Sequence, residues 1–215
     1  MTSTTRMHWR FPLALLAISA IPFAAGIARL AGLLGSPQVN AGNARFLAAP
    51  FPVVLHIMGA SLFSLLGALQ FSTGLRLRYP RFHKISGRIV ALSGLIAALS
   101  GLWMTVVYPI PTGLQGDLLY VVRVLVSTSM LVSIVLAVTA VMRREIGKHR
   151  AWMIRGYALG QGAGTQVVVL LPWMLFIGTP SVLQRDVLMT LAWLINLCIG
   201  EWAIQRQPEK NFSFI

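Results

Sequence analysis

Three histidines are placed where they could hold a cofactor or a metal inside an apolar helix. At about 100° per residue, each shares one helical face with glycines. Small residues leave room beside the imidazole for a flat, bulky group, and a neutral imidazole nitrogen can ligate haem iron. Such faces also permit close packing between helices, so both interpretations stay open. The three faces are His56 with Gly59, Phe63, Gly67 and Gln70, His83 with Gly87, Gly94 and Gly101, and His149 with Gly156, Gly160 and Gly164.

Composition indicates which elements must position these histidines. Of 215 residues, 56% are hydrophobic and 11% are charged, and the mean hydropathy of +0.74 excludes a soluble enzyme domain. Apolar runs of about 20 residues without period-two alternation predict membrane-spanning helices. We therefore expect one domain, an all-α integral membrane helical bundle of six transmembrane helices, with a four-helix core formed by spans two to five. The expected spans are residues 11–34, 51–71, 85–108, 118–142, 151–177 and 187–205.

Charge and cysteine content restrict the function further. The net charge is +13, and fourteen of the eighteen Lys and Arg flank the same ends of the spans. The positive-inside rule then places both termini in the cytoplasm. This topology, with contact to anionic lipids of the bilayer, accounts for the basic residues and leaves no concentrated basic face for nucleic acid. Cys198 is the single cysteine, which excludes an internal disulfide and a cysteine-based zinc or iron–sulfur site.

The first span has two interpretations. Arg6 and Arg10 precede an apolar run that ends in small residues, a pattern typical of a signal peptide. The run is long for that role and contains Pro12 and Pro22. We therefore expect an uncleaved helix.

Polar side chains within the spans fall into two layers. Counted at about 1.5 Å per residue, one layer lies toward the outer leaflet and the other near the inner leaflet. A charged group in a span needs a partner or a function, and the simplest partner for Glu201 is Arg155 or Arg88. The outer layer contains Arg29, His56, Arg123 and Gln166, and the inner layer contains Gln70, His83, Arg88, His149, Arg155 and Glu201.

An internal similarity connects two of the histidines. The segments HKISGRIVAL at 83–92 and HRAWMIRGYAL at 149–159 both contain His, a basic residue, a spacer, Arg, two further residues and Ala-Leu. Spans two and three are therefore interpreted as one copy of a helical pair, and spans four and five as the other. A parallel repeat of this kind places His83 and His149 opposite each other near the cytoplasmic surface.

Four segments carry a resemblance to a known family. The chain resembles a bacterial domain-of-unknown-function family of predicted integral membrane proteins. The resemblance implies a multi-pass protein of the bacterial cytoplasmic (inner) membrane and no particular activity. The segments are LHIMGASLFSLLGALQF at 55–71, RLRYPRFHKISGR at 76–88, HRAWMIRGYALGQGAGTQ at 149–166 and NLCIGEWAIQR at 196–206.

A second pattern is similar to two central helices of the transmembrane ascorbate-dependent b-type cytochromes. In that family the matching histidines ligate haem, so the resemblance implies an outer-haem ligand at His56 and an inner-haem ligand at His83. On the next helix, the family has a second histidine that ligates the outer haem, and this chain has Arg123 there. Only the inner haem site then has two candidate histidines, His83 from the resemblance and His149 from the internal repeat. The pattern is His56, Gly59, Gln70, Gly74, Pro80, His83 and Gly87.

From these observations we predict a b-type haem protein that transfers electrons within or across the membrane. Ligation by two imidazoles leaves iron no open position, which favours electron transfer over oxygen chemistry. The outer layer is interpreted as a quinone or second cofactor site, with quinone or another redox protein as the partner. The candidate metal ligands are His83 and His149, and the candidate cofactor-binding residues are His56, Gln70, Arg88, Arg123, Arg150 and Arg155.

Two other functions stay open. The chain is alternatively a haem-free facilitative transporter, or a scaffold or partner subunit. His83 and His149 are then solvated histidines in basic loops, and Arg123 pairs with Asp117 or Asp186. Ion-coupled transport is disfavoured because no acidic residue lies at middle depth in the predicted spans.

Overall fold

Helices account for nearly all of the chain that the computed structural model describes, residues 9–35, 38–111 and 113–206. Five of them, α1, α3, α5, α6 and α9, are each long and apolar enough to cross a membrane, and α7 with α8, a pair bent by 40°, adds a sixth span if the pair crosses as one. The prediction of a multi-span helical membrane bundle is confirmed. The helices are α1 (Arg10–Leu34), α2 (Ala44–Ala48), α3 (Pro50–Gln70), α4 (Thr73–Arg78), α5 (Pro80–Val107), α6 (Asp117–Met142), α7 (Ile146–Gly160), α8 (Gly162–Phe176) and α9 (Val182–Gln205).

Two spans begin earlier than their apolar runs. Helix α5 begins at Pro80 rather than at residue 85, with the proline in its first turn, where the missing N–H costs nothing. Helix α9 begins at Val182 rather than at residue 187, because Ser181 and Gln184 form a capping box. Cap chemistry, not hydrophobicity, therefore sets these two starts.

The core lies among α3, α5, α6 and α7, as predicted for spans two to five. The most extensive helix contacts are those of α3 with α5 and of α6 with α7, which are the two pairs of the proposed repeat. Helix α1 packs on α3 and α8, and α9 packs on α6, α7 and α8. The buried core residues are Phe63, Ala68, Val90, Ala98, Met130, Ile134, Tyr157 and Leu159.

The fifth span is broken at Gln161, between two glycines. The Gln161 side chain donates to the Leu15 carbonyl oxygen at 3.1 Å and to Ser19 Oγ at 2.8 Å, both on α1. On the other side, Trp193 of α9 donates its indole N–H to the Leu159 carbonyl oxygen at 3.1 Å. Hydrogen bonds to two neighbouring helices therefore hold the break in place and satisfy the Gln161 amide N–H groups and the Leu159 carbonyl oxygen. Gln161 Oε1 is buried without a hydrogen-bond partner among the described residues.

The two ends of the bundle differ in charge. The basic end contains α4, the α6–α7 connection, the start of α1 and the end of α9, and it carries most of the Lys and Arg of the described residues. The opposite end, which we call the cavity end, contains α2 and the α5–α6 and α8–α9 connections. Its basic residues are Arg29, Arg45, Arg123 and Arg185.

Candidate functional site

A cavity of about 440 Å³ lies within the bundle at the cavity end, lined by residues of α3, α5, α6, α7, α8 and α9. Phe63 and Met130, which belong to the buried core, line its inner part, and Arg45 and Phe46 of α2 line its outer part. The volume falls in the range of about 300–1,000 Å³ that is usual for small-molecule sites. The cavity is therefore our candidate functional site.

His56 lines this cavity in a fixed orientation. Its Nδ1 lies 2.9 Å from the Ala97 carbonyl oxygen and 3.3 Å from Ser100 Oγ, both on α5. Because a carbonyl oxygen only accepts, Nδ1 carries the proton and Nε2 is left as an acceptor or ligand. The ring packs beside Gly101, where a Cβ atom would lie 3.1 Å from His56 Cε1. The glycine face predicted for α5 thus makes room for the imidazole itself.

Arg123 and Gln166 line the same cavity from α6 and α8. Arg123 donates from Nη1 to Gln115 Oε1 at 2.5 Å. Asp186 lies close enough for an electrostatic interaction with Arg123, but its carboxylate accepts hydrogen bonds from the backbone N–H groups of Gly116 and Leu119. Arg123 therefore has a neutral hydrogen-bond partner, and the alternative of a direct pair with Asp117 or Asp186 is replaced by an electrostatic interaction with Asp186 at longer range.

Arg45 and Tyr108 stand at the outer part of the cavity. The Tyr108 hydroxyl donates to the Ala49 carbonyl oxygen at 2.5 Å, and burial raises the pKa of this hydroxyl. Arg45 lies over the Phe46 ring at 4.3 Å. Burial and the positive charge of Arg29 lower the pKa of the Arg45 guanidinium. This environment disfavours a cation that has no anionic partner.

Most of the remaining lining is apolar. A ligand in the cavity would meet both hydrogen-bond donors with charged groups and hydrocarbon, which is the composition of a site for an amphipathic molecule. The apolar and small lining residues are Ala60, Phe63, Ala97, Ala98, Met104, Ile110, Leu114, Val126, Met130, Leu159, Ala163 and Met189.

His83 and His149 lie at the basic end, far along the bundle from His56. His149 Nδ1 is 2.9 Å from the Ala137 carbonyl oxygen of α6, so its Nε2 is left to accept or ligate. His83 lies within electrostatic range of His149 and of Arg76. The two histidines therefore lie at the same end of the bundle, on α5 and α7.

The other candidates at the basic end have separate roles. Gln70 donates to Ser86 Oγ at 2.7 Å, and Arg150 donates to the Ala203 carbonyl oxygen at 3.2 Å. Arg155 pairs with Glu201 through two hydrogen bonds of 2.6 and 2.9 Å, one of the two partners expected for that carboxylate. Arg88 is exposed. Among the described residues, no group of three or more His, Cys, Asp or Glu side chains is gathered to hold a metal ion. A haem needs only two protein ligands.

Sequence reasoning placed His56, Arg123 and Gln166 in one layer, and the structure brings all three to one cavity. It did not identify Arg45 or Arg185 as part of the site. The sequence did contain a signal for them, because Arg29, Arg45, Arg123 and Arg185 are the four basic residues that do not follow the charge distribution of the other fourteen. The cofactor candidate Gln70 lies at the opposite end of α3 from the cavity.

Comparison with known proteins gives one match. Residues 53–204 match a family model described as "Predicted membrane protein (DUF2306)". The match runs from the start of α3 almost to the end of α9 and includes most of the cavity lining. No curated protein and no solved structure matches the chain significantly.

Proposed function

This chain belongs to the DUF2306 family of predicted membrane proteins, and we propose that it binds a small amphipathic molecule of the quinone class in its cavity. One observation carries the proposal, the cavity of about 440 Å³ whose lining combines polar and charged side chains with a larger number of apolar ones. The positive-inside rule assigns the cavity end to the non-cytoplasmic side. The molecule would then enter from the outer leaflet.

The polar groups suit the head of such a molecule. A quinone offers carbonyl oxygens, and Arg123 and Gln166 are donors that line the cavity. His56 presents a neutral ring whose Nε2 is an acceptor, which matches a quinol hydroxyl. Since a guanidinium is not an iron ligand, the pair His56 and Arg123 supports a ligand pocket better than a second haem site.

Titration with a short-chain quinone tests this proposal. The purified chain, in a neutral detergent, is mixed with decylubiquinone, and binding is followed by quenching of tryptophan fluorescence, because Trp193 lines the cavity. We expect saturable quenching. Arg123→Gln should raise Kd by at least about tenfold, because a hydrogen bond to a charged group contributes about 1.5–3 kcal/mol and about 1.4 kcal/mol is a factor of ten.

The matched control is Arg143→Gln, which removes an exposed arginine at the basic end. This variant should retain the unsubstituted Kd. Quenching that never saturates, or an equal loss of affinity in both variants, would contradict binding in the cavity.

A second candidate function is electron transfer through a b-type haem at the basic end. The observation that favours it is the fixed ring of His149, whose Nδ1 contacts the Ala137 carbonyl oxygen while His83 lies nearby. Helix α5 has 28 residues, about 42 Å, so its first turns extend beyond a hydrocarbon core of about 30 Å. His83 would therefore stand near the headgroups.

The residues at the basic end would have different roles in binding a haem. His83 and His149 would supply the axial nitrogens, and Arg88 and Arg150 are the cations that would stabilise propionates at the surface. Arg155 is less suited to that role because Glu201 already takes two of its N–H groups. A bound haem would supply one-electron chemistry, and the protein's part would be to hold and orient it.

An absorption spectrum tests the haem proposal. Protein purified from haem-replete cells should show a Soret band with sharp reduced α and β bands, and His83→Ala or His149→Ala should abolish them, because each variant removes one of the two ligands. His56→Ala, at the opposite end of the bundle, should leave the spectrum unchanged. A colourless, folded preparation would overturn this proposal and favour a haem-free carrier or scaffold.

A further inference from the structure

Four arginines depart from the charge distribution of the chain and gather at one place. Arg45, Arg123 and Arg185 line the cavity. Arg29 lies over the Phe46 ring at 4.8 Å, beside Arg45 over the same ring at 4.3 Å. A basic residue on the side that is otherwise poor in positive charge is not explained by topology. The clustering of all four therefore requires another explanation.

Acidic residues do not balance this cluster. The chain has five Asp and Glu, and Glu145 and Glu201 pair with Lys148 and Arg155 at the basic end. The cavity end has Asp117, which is exposed, and Asp186, whose oxygens accept from the backbone N–H groups of Gly116 and Leu119. In the part of the chain that the structure describes, four guanidinium groups at the cavity end thus face two carboxylates, and the buried carboxylate is engaged by backbone N–H groups.

Two of the cavity arginines also have buried N–H groups without a partner. Arg45 Nη1 and Arg185 Nε are shielded from solvent and make no hydrogen bond within the described residues. Among the described residues, Arg123 donates to the neutral amide oxygen of Gln115 at 2.5 Å, and the Asp186 carboxylate near it is engaged by backbone N–H groups. Donors on charged groups in a low-dielectric site are costly when unsatisfied. An anion in the cavity would satisfy these donors and neutralise the charge at once.

We infer that the molecule bound in the cavity is an amphiphile with an oxyanion head, a carboxylate or a phosphate, held by Arg45, Arg123 and Arg185. This inference rests on the part of the proposed function that makes the cavity a site for an amphipathic molecule, and it replaces the neutral quinone head with an anionic one. The three guanidinium groups bind the oxyanion, and the apolar wall that reaches Phe63 and Met130 takes the hydrocarbon body. A neutral quinone would occupy the apolar part but leave the arginine charges unpaired.

Paired ligands that differ only in the head group test the inference. The full chain is purified in a neutral steroid-based detergent, which carries no alkyl chain to compete, and titrated calorimetrically with dodecanoate or dodecanol at about pH 8, where the carboxylate is ionised. We expect dodecanoate to bind at least about tenfold more tightly than dodecanol. Arg45→Gln and Arg185→Gln should each reduce that ratio severalfold, whereas Arg45→Lys and Arg185→Lys should retain most of it.

Controls separate charge recognition from loss of the fold. Arg144→Gln, an exposed arginine at the basic end, should leave the ratio unchanged, and each Gln variant should still bind dodecanol. If a Gln variant does not fold, the preference for dodecanoate over dodecanol is measured with the unsubstituted chain and with the Lys variants. These measurements then decide whether the cavity recognises an anionic head. Equal affinity for dodecanoate and dodecanol would overturn the inference.

Further probes identify the source of the oxyanion. Inorganic phosphate that competes with dodecanoate would show that the head group alone is recognised. Competition by phosphatidylglycerol nanodiscs, but not by phosphatidylcholine nanodiscs, would assign the head group to a bilayer lipid. If decylubiquinone binds saturably and dodecanoate binds no more tightly than dodecanol, the anion site is overturned and the proposed function stands. If none of these ligands binds, both the anion site and the proposed function are overturned.

Discussion

Replacing Asp186 with alanine should lower the melting temperature of the purified protein by about 10 °C or more. Asp186 is 2% exposed, and its carboxylate accepts from the N–H groups of Gly116 and Leu119 at 3.1 Å. Removing a buried, hydrogen-bonded charge costs about 3–5 kcal/mol. For a chain of this size each kcal/mol corresponds to roughly 2–4 °C. Thermal unfolding followed by far-UV circular dichroism in detergent measures the effect.

The physical reason is that Asp186 acts as the cap of another helix. The residue before α6, Gly116, provides no capping side chain, and a carboxylate from α9 takes that role instead. It also lies near Arg123 as a counter-charge. Its loss would leave two buried donors unpaired and Arg123 without the only acidic group among the described residues that is buried near it.

Asp117→Ala provides the matched control. Asp117 lies in the first turn of α6 and is exposed, so its loss should cost only the interaction with the helix dipole, about 0.3–1 kcal/mol. If the two variants melted within about 2 °C of each other, Asp186 would not connect α9 to α6 as described.

The sequence predicts the spans because lipid requires long apolar helices, and it predicts the core of spans two to five, which it reads as two similar helical pairs. It also offers Arg155 or Arg88 as the partner of Glu201, since equal depth on two helices is readable from residue counts, and the structure selects Arg155. Each of these features is determined by the sequence of a single helix or by the depth of a residue along the membrane normal.

The cavity could not be predicted in the same way. Whether Arg45 and Arg185 approach Arg123 depends on how α2 and α9 rotate and pack, and no spacing within one helix encodes that. The break at Gln161 has a similar origin. Its glycines are visible in the sequence, but the bonds from Gln161 to α1 and from Trp193 to Leu159 depend on tertiary contacts.

Gly59→Ala should be nearly as destabilising as the loss of Asp186, with a fall in melting temperature of about 10 °C. A Cβ atom at Gly59 would lie 2.8 Å from the Ser93 carbonyl oxygen and 3.0 Å from the Ala97 backbone nitrogen of α5. Because both are backbone atoms, no side-chain rotation relieves the clash, and α3 must move away from α5. Overpacking of this kind costs about 3 kcal/mol, the upper part of the usual range.

The same displacement should reach the cavity. His56 lies one turn before Gly59 and contacts the Ala97 carbonyl oxygen at 2.9 Å, so separation of α3 from α5 would weaken the bond that orients its ring. Gly32→Ala on α1 is the control, because a Cβ atom there has nothing within 4 Å and alanine favours a helix over glycine by about 1 kcal/mol. We expect Gly32→Ala to melt at or above the unsubstituted temperature and to bind ligand normally, while Gly59→Ala melts lower and binds more weakly. Equal melting temperatures for the two variants would show that α3 and α5 do not approach as closely at Gly59 as the structure has them.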